Sequence, residues 1–146
     1  MDNKKVILED IYGSFNMSRA DIARLLILNF NEINMKFQSY KKDYENDNVV
    51  LRDILQLYKE AIELYTNIVL GVINEFADKE YGKSIDFILN NYNQESISLR
   101  LESFLKSKGY PQQFKCDVYA QVKYLADRLN KRFCFDDVAL VNLIEA

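Results

Sequence analysis

The stretch SRADIARLLILNFNEINMKFQSYKKDY, Ser18 to Tyr44, decides the fold. Its apolar positions Ile22, Leu26, Phe30, Ile33, Phe37, Tyr40 and Tyr44 recur at steps of 4, 4, 3, 4, 3 and 4. An α-helix, at about 3.6 residues per turn, stacks such a series along one side, whereas a strand requires apolar residues at every second position. Ser18 is a good N-cap, and Asp21 stands three residues on in a capping-box-like position. From Ala20 to Phe30 the segment is apolar nearly all round, which predicts several neighbours about its first half and one wet face on its second. The run DYENDN, Asp43 to Asn48, ends it with charge and turn formers.

Downstream, Val49 to Lys79 reads as a second long helix with two adjacent stripes. One is Val50, Ile54, Leu57, Ala61, Leu64 and Ile68; the other is Leu51, Leu55, Tyr58, Ile62, Tyr65, Val69, Val72 and Phe76. At about 1.5 Å per residue this helix spans roughly 45 Å, so one end is expected to project or to meet a partner chain. Gly71 stands in its most apolar turn, where it is expected to admit the close approach of another helix. Upstream, Val6 to Tyr12 predicts one or two helical turns, stopped by Gly13 and packed as a lid.

Past Gly82, Ser84 caps a short helix through Ile85, Ile88, Leu89 and Tyr92. Another follows with Ile97, Leu101, Phe104 and Leu105 facing in, and Gly109 with Pro111 stops it. Phe114, Val118, Val122, Leu125, Leu129 and Phe133 then mark a further substantial helix. Asp136 caps a terminal one carrying Val138, Val141 and Ile144 on one side. The expected fold is therefore all-α: a bundle of about five to six helices built on two long antiparallel helices, 18–45 and 49–79, forming a single domain over 1–146.

Composition agrees. The chain has 146 residues, 49% of them hydrophobic, with one Pro and four Gly. That is enough apolar material for one core and little of the punctuation a turn-rich β protein needs. Met1 to Lys5 is charged and leads only to a short apolar stretch, which predicts no signal peptide. The strictly apolar runs Leu25 to Leu28 and Ile68 to Leu70 fall far short of the roughly 20 residues of a membrane span, so a cytoplasmic location without membrane contact is expected. Cys116 and Cys134 fall on one expected helix about 27 Å apart, too far for an intrachain disulfide and consistent with free thiols or an intermolecular bridge.

There is no histidine. The commonest general base and the commonest metal ligand are thus both missing, and with them Cys–His nucleophiles and Glu-x-x-His di-iron sites. Asp43, Glu45 and Asp47 imitate the start of a calcium loop, but Asn48 replaces the turn glycine and Ile54 the closing bidentate Glu. Glu60 and Glu63 read as part of an exposed charged strip with Lys59. No glycine-rich phosphate loop occurs. The expectation is a non-enzymatic chain with no catalytic residue, no cofactor and no metal.

Ser18 to Phe37 resembles the opening of a helix-turn-helix of the kind found in bacterial repressors, with Ala23 as the small residue of the first helix, Ile22 and Leu26 beside it, and Ile33 in the second. The turn position that usually holds Gly is Ile27, and between Leu25 and Phe30 only Asn29 is a turn former, so the stretch reads as one uninterrupted helix. The resemblance implies base contacts from Asn31, Asn34, Lys36 and Gln38. Glu32 stands among them, however, and residues 1–82 carry a net charge of −4, which opposes attraction to phosphate.

Residues 83–132 carry +4, and the last fourteen −3. Within the basic part, Lys106, Lys108, Lys115, Lys123, Arg128, Lys131 and Arg132 interleave with Tyr110, Phe114, Tyr119 and Tyr124. Basic and aromatic groups together hold single-stranded nucleic acid or anchor a protein interface. Phe114 lies on the core stripe, while Tyr119 and Tyr124 lie off it. The partner-binding candidates are therefore Tyr110, Tyr119, Lys123, Tyr124, Arg128, Lys131 and Arg132. Tyr40, Tyr44, Tyr58 and Tyr65 either edge the core or form a partner-binding strip along the long helices.

These readings converge on a helical regulatory protein that binds another protein, as an inhibitor, immunity protein or adaptor does, with a homodimer as one form of the partnership. The alternative is a nucleic-acid-binding regulator using 18–37 or 106–132. Richness in Asn, Lys, Ile and Tyr suits an AT-rich bacterial, phage or viral genome.

Overall fold

The computed structural model describes residues 3–131. Among them it forms six helices and no strand: α1 (Asn3–Tyr12), α2 (Arg19–Asp43), α3 (Asn48–Tyr81), α4 (Ile85–Asn91), α5 (Gln94–Ser107) and α6 (Gln112–Arg128). By packing, the chain divides into two compact units, Met1–Asn67 and Ile68–Ala146, and α3 runs through both.

In the first unit, Ser18 caps α2 by accepting from the Asp21 N–H at 3.1 Å. Phe30 stacks on Tyr65 with ring centroids 3.9 Å apart, and Phe37 meets Tyr58 at 5.3 Å, so α2 and the first half of α3 run antiparallel side by side. Leu26, Ile33 and Phe37 face Ile54, Leu57, Ala61 and Tyr65 as the buried set, and α1 adds Ile7 and Ile11. The Tyr58 hydroxyl donates to Asn34 Oδ1 at 2.7 Å and accepts from Gln38 Nε2 at 3.0 Å, so the seam carries a polar pin as well as apolar contact.

Two expectations for the long helices are corrected. α2 is not uninterrupted: Asn29 leaves helical geometry at φ −140° and ψ 36°. Asn is a weak helix former whose side chain competes for backbone hydrogen bonds, and here it faces solvent, where packing does not enforce the helix. Leu55, assigned to an α3 core stripe, is 43% exposed, and the buried positions 54, 57, 61, 65, 69, 72, 73, 76 and 77 form a single band that widens only near the helix end.

In the second unit, Gly82 at φ +63° closes α3, Ser84 caps α4 by accepting from the Phe87 N–H at 3.2 Å, and Asn93 caps α5 in the same way at 3.0 Å. α4 packs on α5 and α6. The core comprises Phe76, Ile88, Leu89, Ile97, Leu101, Leu105, Phe114, Val118 and Val122, with Phe76 edge-on to Phe104 at 5.6 Å. Truncating one such leucine to alanine typically costs about 2–5 kcal/mol. Among the described residues every buried side chain is a hydrocarbon except Tyr65, Tyr119 and Cys116.

Three further expectations change here. Gly71 is solvent-exposed, and a Cβ built on it meets nothing within 4 Å, so no helix approaches it. α6 stops at Arg128 instead of running through Phe133. The Asn130 and Lys131 N–H groups bond back to Asp127 and Ala126 at 3.1 and 2.9 Å, with Asn130 left-handed at φ +56°, a Schellman closure. Cys116 and Cys134 therefore do not share an uninterrupted helix. Arg132, Phe133, Cys134 and the terminal helix expected from Asp136 lie outside the described residues. No described helix is long and apolar enough to cross a membrane.

Candidate functional site

Of the basic and aromatic residues singled out between 106 and 132, Phe114 and Tyr119 are buried, so not all of them face solvent. Tyr119 is corrected from surface to core: it is 6% exposed, and burial, followed by the charge of Glu102, raises its phenol pKa. Lys108 is engaged, its ammonium 2.8 Å from Glu75 Oε1, a carboxylate that Lys79 also reaches at 2.9 Å. These two lysines hold the Glu75 carboxyl below its usual range, Lys108 having the larger effect. Tyr110 is half-buried against Phe114 at 4.7 Å. Tyr124 is 55% exposed with the Arg128 guanidinium over its ring at 5.9 Å, and Lys123 is exposed beside it in sequence. Lys131 is half-buried at the Schellman closure, and Arg132 is outside the described residues. Tyr124 and Arg128 thus form an exposed pair of aromatic ring and cation on this stretch.

The polar residues of the helix-turn-helix resemblance are engaged within the unit. Asn34 and Gln38 bond the Tyr58 hydroxyl, and Lys36 Nζ lies 3.4 Å from the Asp10 carbonyl oxygen. A single residue out of helical geometry at Asn29 is shorter than the usual three- to four-residue turn, and the segment after it lies along α3.

A different aromatic cluster emerges where α3 ends. The left-handed Gly82 turns the chain back, the short α4 follows, and Tyr92 caps α4 in extended geometry. This brings Tyr81 and Tyr92 to 4.8 Å and Phe87 to 6.4 Å from Tyr92. Lys83 lies over the Phe87 ring at 5.3 Å and Arg100 over the Tyr81 ring at 5.0 Å, the Arg100 Nη1 also reaching the Glu80 carbonyl at 3.4 Å. Phe87 and Tyr92 are each 43% exposed. The Tyr81 hydroxyl is buried without a hydrogen bond of good geometry; burial raises its pKa, and the nearby Arg100 and Ser96 pull it back.

The sequence did not single these residues out, because none of them shares a helical stripe with the others. The one available signal was the Tyr-Gly-Lys-Ser turn with Phe87 and Tyr92 close behind it.

Among the described residues, two grooves of the first unit are lined in part by α1. One, of about 280 Å³, is apolar, with Leu8, Met17, Ile22, Leu57 and Leu64 in its wall and Arg19 and Glu60 at its rim. Tyr12 lines it as well, its phenol pushed up to about 12 by burial and then by Glu60. The other, about 510 Å³ and open, lies along α2 beside Asp10 of α1. Among the described residues no group of three or more His, Cys, Asp or Glu side chains is arranged to hold a metal ion. Neither protein-family models, nor curated proteins, nor solved structures match this chain.

Proposed function

We propose that the protein acts without catalysis, by binding another protein through the surface formed by Tyr81, Phe87 and Tyr92 with Lys83 and Arg100. The observation that carries this reading is the ring cluster itself: two of its three contiguous rings are each 43% exposed and are held in place by neighbours. Tyr, Phe and Arg are the usual anchors of protein interfaces, and rigid aromatic rings lose little conformational freedom on binding. An aromatic side chain of roughly 200 Å² that is two-fifths exposed offers about 80 Å² for burial, or about 2 kcal/mol per ring at 25 cal/mol per Å². Regulatory, inhibitory or adaptor roles are the functions that such a surface serves.

The test is capture from the native host by immobilised protein, compared with a Phe87→Ser/Tyr92→Ser variant whose helicity is checked by circular dichroism. Both positions are partly solvated, so the variant is expected to fold. The expected result is a species retained by the parent and lost from the variant. An identical or empty set from both would overturn the reading.

A further inference from the structure

The open groove on the first unit is independent of the aromatic surface and differs from it in chemistry. Its α2 wall is Glu32, Met35, Lys36, Ser39, Tyr40 and Asp43, at steps of 3, 1, 3, 1 and 3, which is one face of a helix sustained over three turns. Asp10 of α1 forms the other wall, tied to this face by the Tyr40 hydroxyl, which donates to Asp10 Oδ2 at 2.8 Å. Tyr44 closes the end, stacked nearly parallel to Tyr40 at 6.1 Å and 14°. The groove has a volume of about 510 Å³ and is open to solvent.

Two properties select the occupant. The apolar part is exposed and adaptable: Met35 is 69% exposed and Tyr44 40%. An unbranched thioether at such a position suits repacking against a foreign side chain. The lining is net negative, with the carboxylates of Asp10, Glu32 and Asp43 against the ammonium of Lys36. Glu32 and Asp43 have no ion pair or side-chain hydrogen bond among the described residues, and the one lining cation, Lys36, is directed to the Asp10 carbonyl. Nearby, Lys41 lies over the Tyr58 ring at 5.4 Å.

We infer that this groove docks a basic amphipathic helical segment of a partner protein, whose Lys or Arg side chains meet Glu32 and Asp43 across the Tyr40–Tyr44 pair while an apolar side chain packs on Met35. Helix-in-groove recognition reads anchors at this spacing, and the tyrosine faces attract the same cations.

The probe is a fluorescein-labelled helical peptide with lysines on one face and leucines on the other, together with a copy carrying glutamate for each lysine. Fluorescence anisotropy at low salt is expected to show saturable binding of the basic peptide and none of the acidic one. Glu32→Lys/Asp43→Lys is expected to weaken binding at least tenfold. Glu63→Lys/Glu102→Lys, which makes the same net charge change at exposed positions outside the groove, is expected to leave it within twofold. Met35→Gln, which alters no charge, is expected to weaken it as well.

Equal loss in both charge variants, or no binding at all, would overturn the inference. So would complete competition by spermine with no effect of Met35→Gln, which would make the groove a small polyamine site. Sedimentation of the parent as a dimer that the groove variant dissociates would assign the face to a second copy of the chain and would equally overturn it.

Discussion

Gly71 offers a sharp test of how α3 is built. It is in the interior of a 34-residue helix, exposed, in ordinary helical geometry, and a Cβ placed on it meets nothing within 4 Å. Glycine in a helix interior is less favourable than alanine by about 0.8–1.0 kcal/mol, because its unfolded chain has more freedom to lose. No clash offsets that gain here. Gly71→Ala is therefore expected to raise stability by about 0.8–1 kcal/mol, which for a chain of this length moves Tm up by about 2–4 °C.

Urea unfolding followed at 222 nm measures it, with an unchanged slope showing that the same surface is exposed on unfolding. Gly109→Ala is the control. Gly109 also has open space about its Cβ position, but its φ is +71°, where an L side chain costs about 1–2 kcal/mol. Opposite signs for the two variants are expected. A destabilised Gly71→Ala would refute the reasoning, and would mean that something packs against this face of α3 in solution.

Other consequences follow from the same structure. Cys116 is buried, with Gln112 Nε2 3.8 Å from its sulfur, and burial pushes its thiol pKa up; in a Cys134→Ser background its reaction with a thiol reagent at neutral pH is expected to be slow when folded and fast in urea. Because Glu75 is held below the usual carboxylate range, its contribution to stability is full above its unfolded pKa and is lost as pH falls through the lower folded value, so Glu75→Gln is expected to flatten that part of the acid unfolding profile, by a small amount given how exposed the cluster is. On the alkaline side, the phenols of Tyr12 and Tyr40 are pushed up to about 12 and that of Tyr119 is raised as well, so absorbance at 295 nm near pH 11 is expected to be clearly lower in the folded protein than in concentrated guanidinium, where tyrosines of ordinary pKa are about 90% ionised.

The helical architecture was legible in the sequence because periodicity and punctuation are local. The stripe from Ile22 to Phe37, the Ser18 and Ser84 caps, and the stops at Gly82, Gly109 and Pro111 each depend on neighbours a few residues away. Where reading failed, the deciding term was tertiary or conformational. Asn29 breaks α2 because its side chain is solvated there, and Asn130 ends α6 because asparagine tolerates the left-handed region that closes a Schellman motif. Tyr119 and Tyr124 both stood off the chosen stripe, but the buried face of α6 also takes in Cys116 and Ala126, and that breadth draws Tyr119 inside.

The candidate surface was less legible still. Tyr81, Phe87 and Tyr92 belong to a helix end, a short helix and a cap, and only the turn at Gly82 makes them neighbours. The groove residues are half-legible: in the sequence, Tyr40 and Tyr44 read as core edge or binding strip. The Tyr40 to Asp10 bond, which shapes the groove, links positions thirty residues apart.

The most direct test of the binding account is the amide hydrogen-exchange footprint of the protein in complex with whatever native-host partner it retains. Protection centred on residues 81–100, around Tyr81, Phe87, Tyr92 and Arg100, is the expected result. A footprint confined to α6 around Tyr124 and Arg128 would contradict the account.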